Sequence, residues 1–329
     1  AVFAATRDAG ADELKIAGHG SEQQEGINEG VRRRTRSLGV ASESASIGYA
    51  SLATSSLQWM APENVLIFFD WDDTLFPTSW LTEKGVLRGW KNTRGAEIPC
   101  FDDDTAAQLN QLDWAARALL MQAKLLGHVC CVTLSTAPWQ QTTMEAFMPE
   151  LAKTWKSLGI EVLYATQARG ILPMRGVPAA STLKGDHWDV LEATILVDSE
   201  YALKKQRCMK KFLSKVYGDR SWKHVVSIGD GDAECQAVRE IAFQHTNPIS
   251  GRTGEQKQFR CKSVKTVQSP DCEQLTAQLQ VLHSSLPVLI SLDRDFDISW
   301  RDAEDTIVQC HEHLFSMRDE DMDLSGGYM

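Results

Sequence analysis

Long apolar runs are missing from this 329-residue sequence. None approaches the roughly 18 consecutive apolar residues of a bilayer-crossing helix, so a membrane span is not expected. A basic excess is missing too. Lys and Arg number 34 against 44 Asp and Glu, a net charge of −10, and such a chain is a poor candidate for wrapping nucleic acid. Glycine (22) and proline (10) are too sparse for a collagen-like chain. None of the eight cysteines forms a CxxC pair, which leaves zinc ribbons and thioredoxin-type motifs without support. Cys130 and Cys131 lie within an apolar run, as buried thiols do, and a reducing, intracellular compartment is expected, the cytoplasm first.

What is present is an ordinary globular composition, 43% apolar and 24% charged, enough for a sizeable core without disulfides. The length fits one large domain or two small ones. Residues 1–60, rich in Ala, Ser, Gly, Gln and Glu, read as a disordered lead-in. Seven acids before residue 60 argue against a targeting segment there. The cluster Arg32-Arg33-Arg34-Thr35-Arg36 reads as a solvated patch. Residues 292–329 hold eleven acids and three bases, −8 of the net charge, and read as an acidic tail. The folded domain is thus expected over 61–291.

Within it, apolar runs alternate with helical patterns. Val65-Leu66-Ile67-Phe68-Phe69 is a strand buried on both faces, and Val129-Cys130-Cys131-Val132 a second. Further strands are expected at Glu161–Ala165, His224–Ile228 and, on weaker grounds, Cys261–Val267. Helices are expected from Asp103 to a stop at Gly127, over roughly 140–157 with a stop at Gly159, over Asp232–Phe243 and over Glu273–Leu289. The leucines at 275, 279, 282 and 286 read as core. This alternation predicts an α/β, Rossmann-like three-layer fold with a mainly parallel sheet. Ligands of such sheets bind beyond the carboxyl ends of the strands, which singles out Asp70, Thr133 and Asp230.

The first strand runs into Asp70-Trp71-Asp72-Asp73-Thr74-Leu75. A carboxylate at a strand end can attack phosphorus, and a second, two residues on, can serve the leaving oxygen as general acid. Two such anions facing a phosphate need a hard cation such as Mg²⁺. The string FFDWDDTL, together with Val225–Glu234 carrying Gly-Asp-x-x-x-Glu, resembles the haloacid dehalogenase superfamily of phosphatases. The likeness spans roughly 63–268. It implies Asp70 as nucleophile and Asp72 as general acid, then base. It implies Thr133, with Ser135 and Thr136 as rivals, and Lys205, with Lys204 close behind, as holders of phosphoryl oxygens. It places Mg²⁺ on the Asp70 carboxylate, the Asp72 carbonyl and Asp230, with Glu234 steadying that side. An acid at 72 favours phosphate chemistry over carbon–halogen cleavage.

The implied activity is a Mg²⁺-dependent phosphohydrolase working through an aspartyl phosphate. A phosphotransferase or mutase, or a catalytically silent interaction protein, is the alternative. Neither insertion slot of the family looks filled by a full cap domain, and an open site suits phosphorylated substrates as large as proteins. Lys184 with Asp198, at the end of Thr194-Ile195-Leu196-Val197, is a rival pair for the Lys and the metal-side acid. Trp71, Trp80 and Trp139 flank the motifs and read as packing. His311 and His313, two apart on a helical stretch, point to different faces and do not suggest a metal site.

Overall fold

The computed structural model describes residues 61–92, 99–167, 187–218, 220–246, 249, 254, 256 and 258–300. The expectations for residues 1–60, for Lys184 and for His311 and His313 lie outside them. Six parallel strands form one sheet: β1 (Val65–Phe69), β2 (His128–Thr133), β3 (Glu161–Tyr164), β4 (His224–Gly229), β5 (Arg260–Lys265) and β6 (Phe296–Ser299), in the order β3-β2-β1-β4-β5-β6. The helices are α1 (Thr78–Glu83), α2 (Val86–Asn92), α3 (Asp103–Leu126), α4 (Trp139–Phe147), α5 (Pro149–Leu158), α6 (His187–Tyr217), α7 (Asp232–Phe243) and α8 (Cys272–Ser291). The fold is α/β and Rossmann-like, and the sheet is wholly rather than mainly parallel. No helix among the described residues is long and apolar enough to cross a membrane.

Both faces of the sheet are covered, which is why β1 is apolar throughout. Val65, Ile67 and Phe69 pack against Leu109, Leu112 and Leu119 of α3 and the α8 leucines 275, 279, 282 and 286. Leu66 and Phe68 face Met209, Phe212 and Leu213 of α6 and Val238 and Ile241 of α7. Gly127 ends α3, and a Cβ there would lie 2.6 Å from the Val65 carbonyl oxygen, so glycine lets α3 meet the sheet closely.

Three elements differ from expectation. The helix expected over 140–157 is two helices, since Pro149 cannot continue α4 and instead starts α5. The Thr194–Ser199 run lies inside the 31-residue α6, not in a strand, so Asp198 is not at a strand end and the rival metal-side pair loses its placement. Lys205 consequently sits mid-helix rather than near a helix start. Part of the acidic stretch belongs to the sheet. Phe296 and Ile298 turn inward on β6, while Asp297 pairs with Ser263 and Arg239, and Asp293 with Lys223 and Arg260.

Three basic side chains, Lys223, His224 and Lys262, are buried away from Asp70. Lys262 Nζ donates to the carbonyls of Ile290 (3.0 Å) and Leu292 (2.6 Å) and so caps the end of α8. His224 is fully buried, and neither ring nitrogen has a hydrogen-bond partner among the described residues. Burial, reinforced by the positive charges of Lys262 and Lys223, pushes its pKa down to about 2. The folded state therefore refuses a proton that the unfolded chain accepts below about pH 6.5. Stability is expected to fall as pH drops through that value. His224→Leu should shrink the difference in urea-unfolding free energy between pH 7 and pH 5 by about 2 kcal/mol. An unchanged difference would show that His224 is not a source of the acid sensitivity.

Candidate active site

The chain order leaves β1 in one direction for β2 and β3 and in the other for β4, β5 and β6, so the switch point lies between β1 and β4. Crevices form at such points beyond the carboxyl ends of the strands. Asp70 follows β1 and Asp230 follows β4, and the Asp70 N–H donates to the Ile228 carbonyl at 2.9 Å, which ties the two strand ends together. A cavity of about 410 Å³ opens there, lined among others by Asp70, Asp72, Ser135, Lys205, Asp230 and Glu234.

Lys205 reaches this point from α6. It is 1% exposed and forms ion pairs with Asp70 (3.0 Å) and Glu234. Glu234, in the first turn of α7, is buried against the backbone of its own motif. A Cβ on Gly229 would lie 2.6 Å from its Cγ, and one on Gly231 2.7 Å from its Oε2. Both glycines of Gly229-Asp230-Gly231 thus make room for the glutamate that anchors Lys205. Glu234 Oε2 has no hydrogen-bond partner among the described residues.

Between Asp70 and α1 the chain makes a tight turn. Asp73 takes a left-handed backbone conformation (φ 53), which its short polar side chain tolerates. Its carboxylate accepts from Ser79 N (2.8 Å) and Ser79 Oγ (2.5 Å), binding the turn to the start of α1. Thr74 is fully buried, and its hydroxyl accepts from the Asp230 N–H at 3.1 Å. Asp72 is held from two sides. Thr78 Oγ1 (2.6 Å) and Trp139 Nε1 (2.7 Å) donate to Oδ1, while Ser135 Oγ (2.5 Å) and Thr133 Oγ1 (3.2 Å) donate to Oδ2.

The acids crowd one another. Burial, partly offset by Lys205 and reinforced by Asp72, raises the Asp70 carboxyl above its ordinary range. Burial and the charges of Asp70 and Asp73 push Asp230 up to about 7. Among the described residues no three His, Cys, Asp or Glu side chains form a ready-made metal cage. The donors at the cavity are the carboxylates of Asp70, Asp72, Asp73, Asp230, Asp232 and Glu234. All are hard oxygens, the set a partly hydrated Mg²⁺ accepts, and the crowded negative charge favours a cation.

The structure therefore gathers Asp70, Asp72, Lys205, Asp230 and Glu234 at one point. Thr133 is close, but it is fully buried and its Oγ1 also accepts from the Ser135 N–H at 3.0 Å. Ser135, like Tyr201, lines the cavity wall. Lys204 pairs instead with Glu200 at 2.6 Å. Trp71 is packing, as read: it is fully buried, stacks on Phe76 and donates to Thr143 Oγ1 at 3.1 Å. Trp139 is more than packing, because its indole N–H lands on Asp72, and nothing in the sequence spacing points to that contact. Comparison with family models, with curated proteins and with solved structures finds no match to this chain.

Proposed function

We propose that this chain is a Mg²⁺-dependent phosphohydrolase of the haloacid dehalogenase type. The observation that carries the reading is the buried Lys205, ion-paired at once to Asp70 after β1 and Glu234 after β4, beside an open cavity. That arrangement brings a carboxylate, a cation and a wall hydroxyl together at the sheet end, which suits the binding of a phosphoryl group.

In this reading an Asp70 carboxylate oxygen attacks phosphorus as the bond to the leaving oxygen breaks, and Asp72 gives that oxygen a proton. Asp72, now a carboxylate, takes a proton from water as the water attacks the aspartyl phosphate, which releases inorganic phosphate and restores Asp70. Lys205 and Ser135 hold phosphoryl oxygens, with Thr133 supporting Ser135 from behind. Asp70, Asp230 and the Asp72 carbonyl would hold the cation, which supplies charge neutralisation when bound. Glu234 fixes Lys205. The cavity is open, and phosphorylated substrates of macromolecular size are included.

The test is hydrolysis across a panel of phosphate monoesters with and without Mg²⁺. Release of phosphate that disappears on chelation is expected. Mg²⁺ with beryllium fluoride should raise the melting temperature more than either alone, by mass action. No turnover across the panel and no such shift would leave the silent interaction protein as the reading.

A further inference from the structure

We infer that Trp139 is the positioning residue of Asp72, fixing which of its two oxygens carries the transferred proton. The inference rests on the proposed phosphohydrolase reading. The carboxylate receives two donors on each oxygen, but the donors differ in kind. Thr78, Thr133 and Ser135 offer hydroxyls, which can turn from donor to acceptor. The indole N–H of Trp139 is a donor only, and it lies 2.7 Å from Oδ1. The protonated oxygen of a carboxylic acid is the poorer acceptor, so Oδ1 is kept as the carbonyl-like oxygen. The proton then belongs on Oδ2, beside Ser135, which lines the cavity.

The indole is well placed for this task. Trp139 opens α4, directly after the segment that follows β2, and its backbone N–H donates to the Thr136 carbonyl at 2.9 Å. Its ring rests against Trp90 of α2, with centroids 6.5 Å apart. Thr78, at the start of α1, approaches the same oxygen at 2.6 Å. The general acid is thus steered from the two segments that follow β1 and β2, while the nucleophile is steered by Lys205 from α6.

General acid assistance matters most when the leaving oxygen is a poor leaving group. The test compares Trp139→Phe, which keeps an aromatic ring on the Trp90 side and loses the pyrrole part of the indole with its N–H, on an alkyl phosphate and on p-nitrophenyl phosphate. The alkyl ester should lose about 100-fold in kcat/KM, and the aryl ester a factor at least ten smaller, within the range general acid catalysis covers. Trp139→His returns a ring N–H and should recover most of the alkyl-ester loss, and it serves alone if the Phe variant does not fold. In an Asp72→Asn background Trp139→Phe should have no further selective effect. Equal losses on both esters, or a selective loss that persists without Asp72, would reduce Trp139 to packing and overturn the inference while the phosphohydrolase reading stands. A wild-type chain inert on both esters would overturn that reading and this inference with it.

Discussion

Asp70→Asn is expected to lower phosphomonoester hydrolysis by at least about 10³-fold, because an amide cannot form the acyl phosphate that a carboxylate nucleophile forms. The same variant should fold at least as well as the wild type. Burial already raises the Asp70 carboxyl above its ordinary range, so the folded state holds its charge at a cost near neutral pH. A neutral, isosteric side chain removes that cost, and Lys205 retains Glu234 as its ion-pair partner. Activity and melting temperature should therefore separate: the first collapses and the second holds or rises. Parallel phosphate-release and thermal-unfolding measurements decide it. Retention of more than a tenth of the wild-type rate would remove Asp70 from the nucleophile's place.

How much of this was legible in the chain follows the physics of each segment. The strands before Asp70, Thr133 and Asp230 stand out because a strand buried on both faces must be apolar without interruption, as β1, with all five residues buried, is. The strand-end acids could then be placed with no structure in hand. The run Thr194-Ile195-Leu196-Val197 carries the same signal yet lies in α6. A short apolar run does not reveal its period. The opposite error occurs at Phe296–Ser299. Its inward and outward alternation is a strand signal, but only two apolar residues, Phe296 and Ile298, carry it amid Asp293, Asp295 and Asp297. The stretch reads as an acidic tail, whereas Asp293 and Asp297 meet Lys223, Arg260, Arg239 and Ser263. Ser135 and Trp139 were beyond reach for a different reason. Which of two hydroxyls faces a cavity, and where an indole N–H points, depend on the course of the chain after β2, which no spacing rule encodes.

Lys205→Met should be the most destabilising single change at the site. The wild-type ammonium is 1% exposed and lies between two buried carboxylates, Asp70 and Glu234, with Asp230 nearby. A buried pair adds little net stability over an apolar replacement of both partners, but deleting one partner strands the other. Here one deletion strands two, and a cost of about 3–5 kcal/mol is expected at neutral pH. The stranded acids can escape only by taking up protons. Without the ammonium, burial disfavours the charged form of both carboxyls, and the folded variant binds more protons than its unfolded chain. The deficit relative to wild type should accordingly shrink as pH falls from 7.5 towards 5. Lys205→Met combined with Glu234→Gln should recover part of the loss at neutral pH, because one stranded charge is gone while the shape against Gly229 and Gly231 is kept. Urea unfolding of both variants at the two pH values tests the argument. A single variant as stable as wild type at pH 7.5, or a deficit that does not change with pH, would mean that Lys205 is not the charge that makes this acidic sheet end foldable.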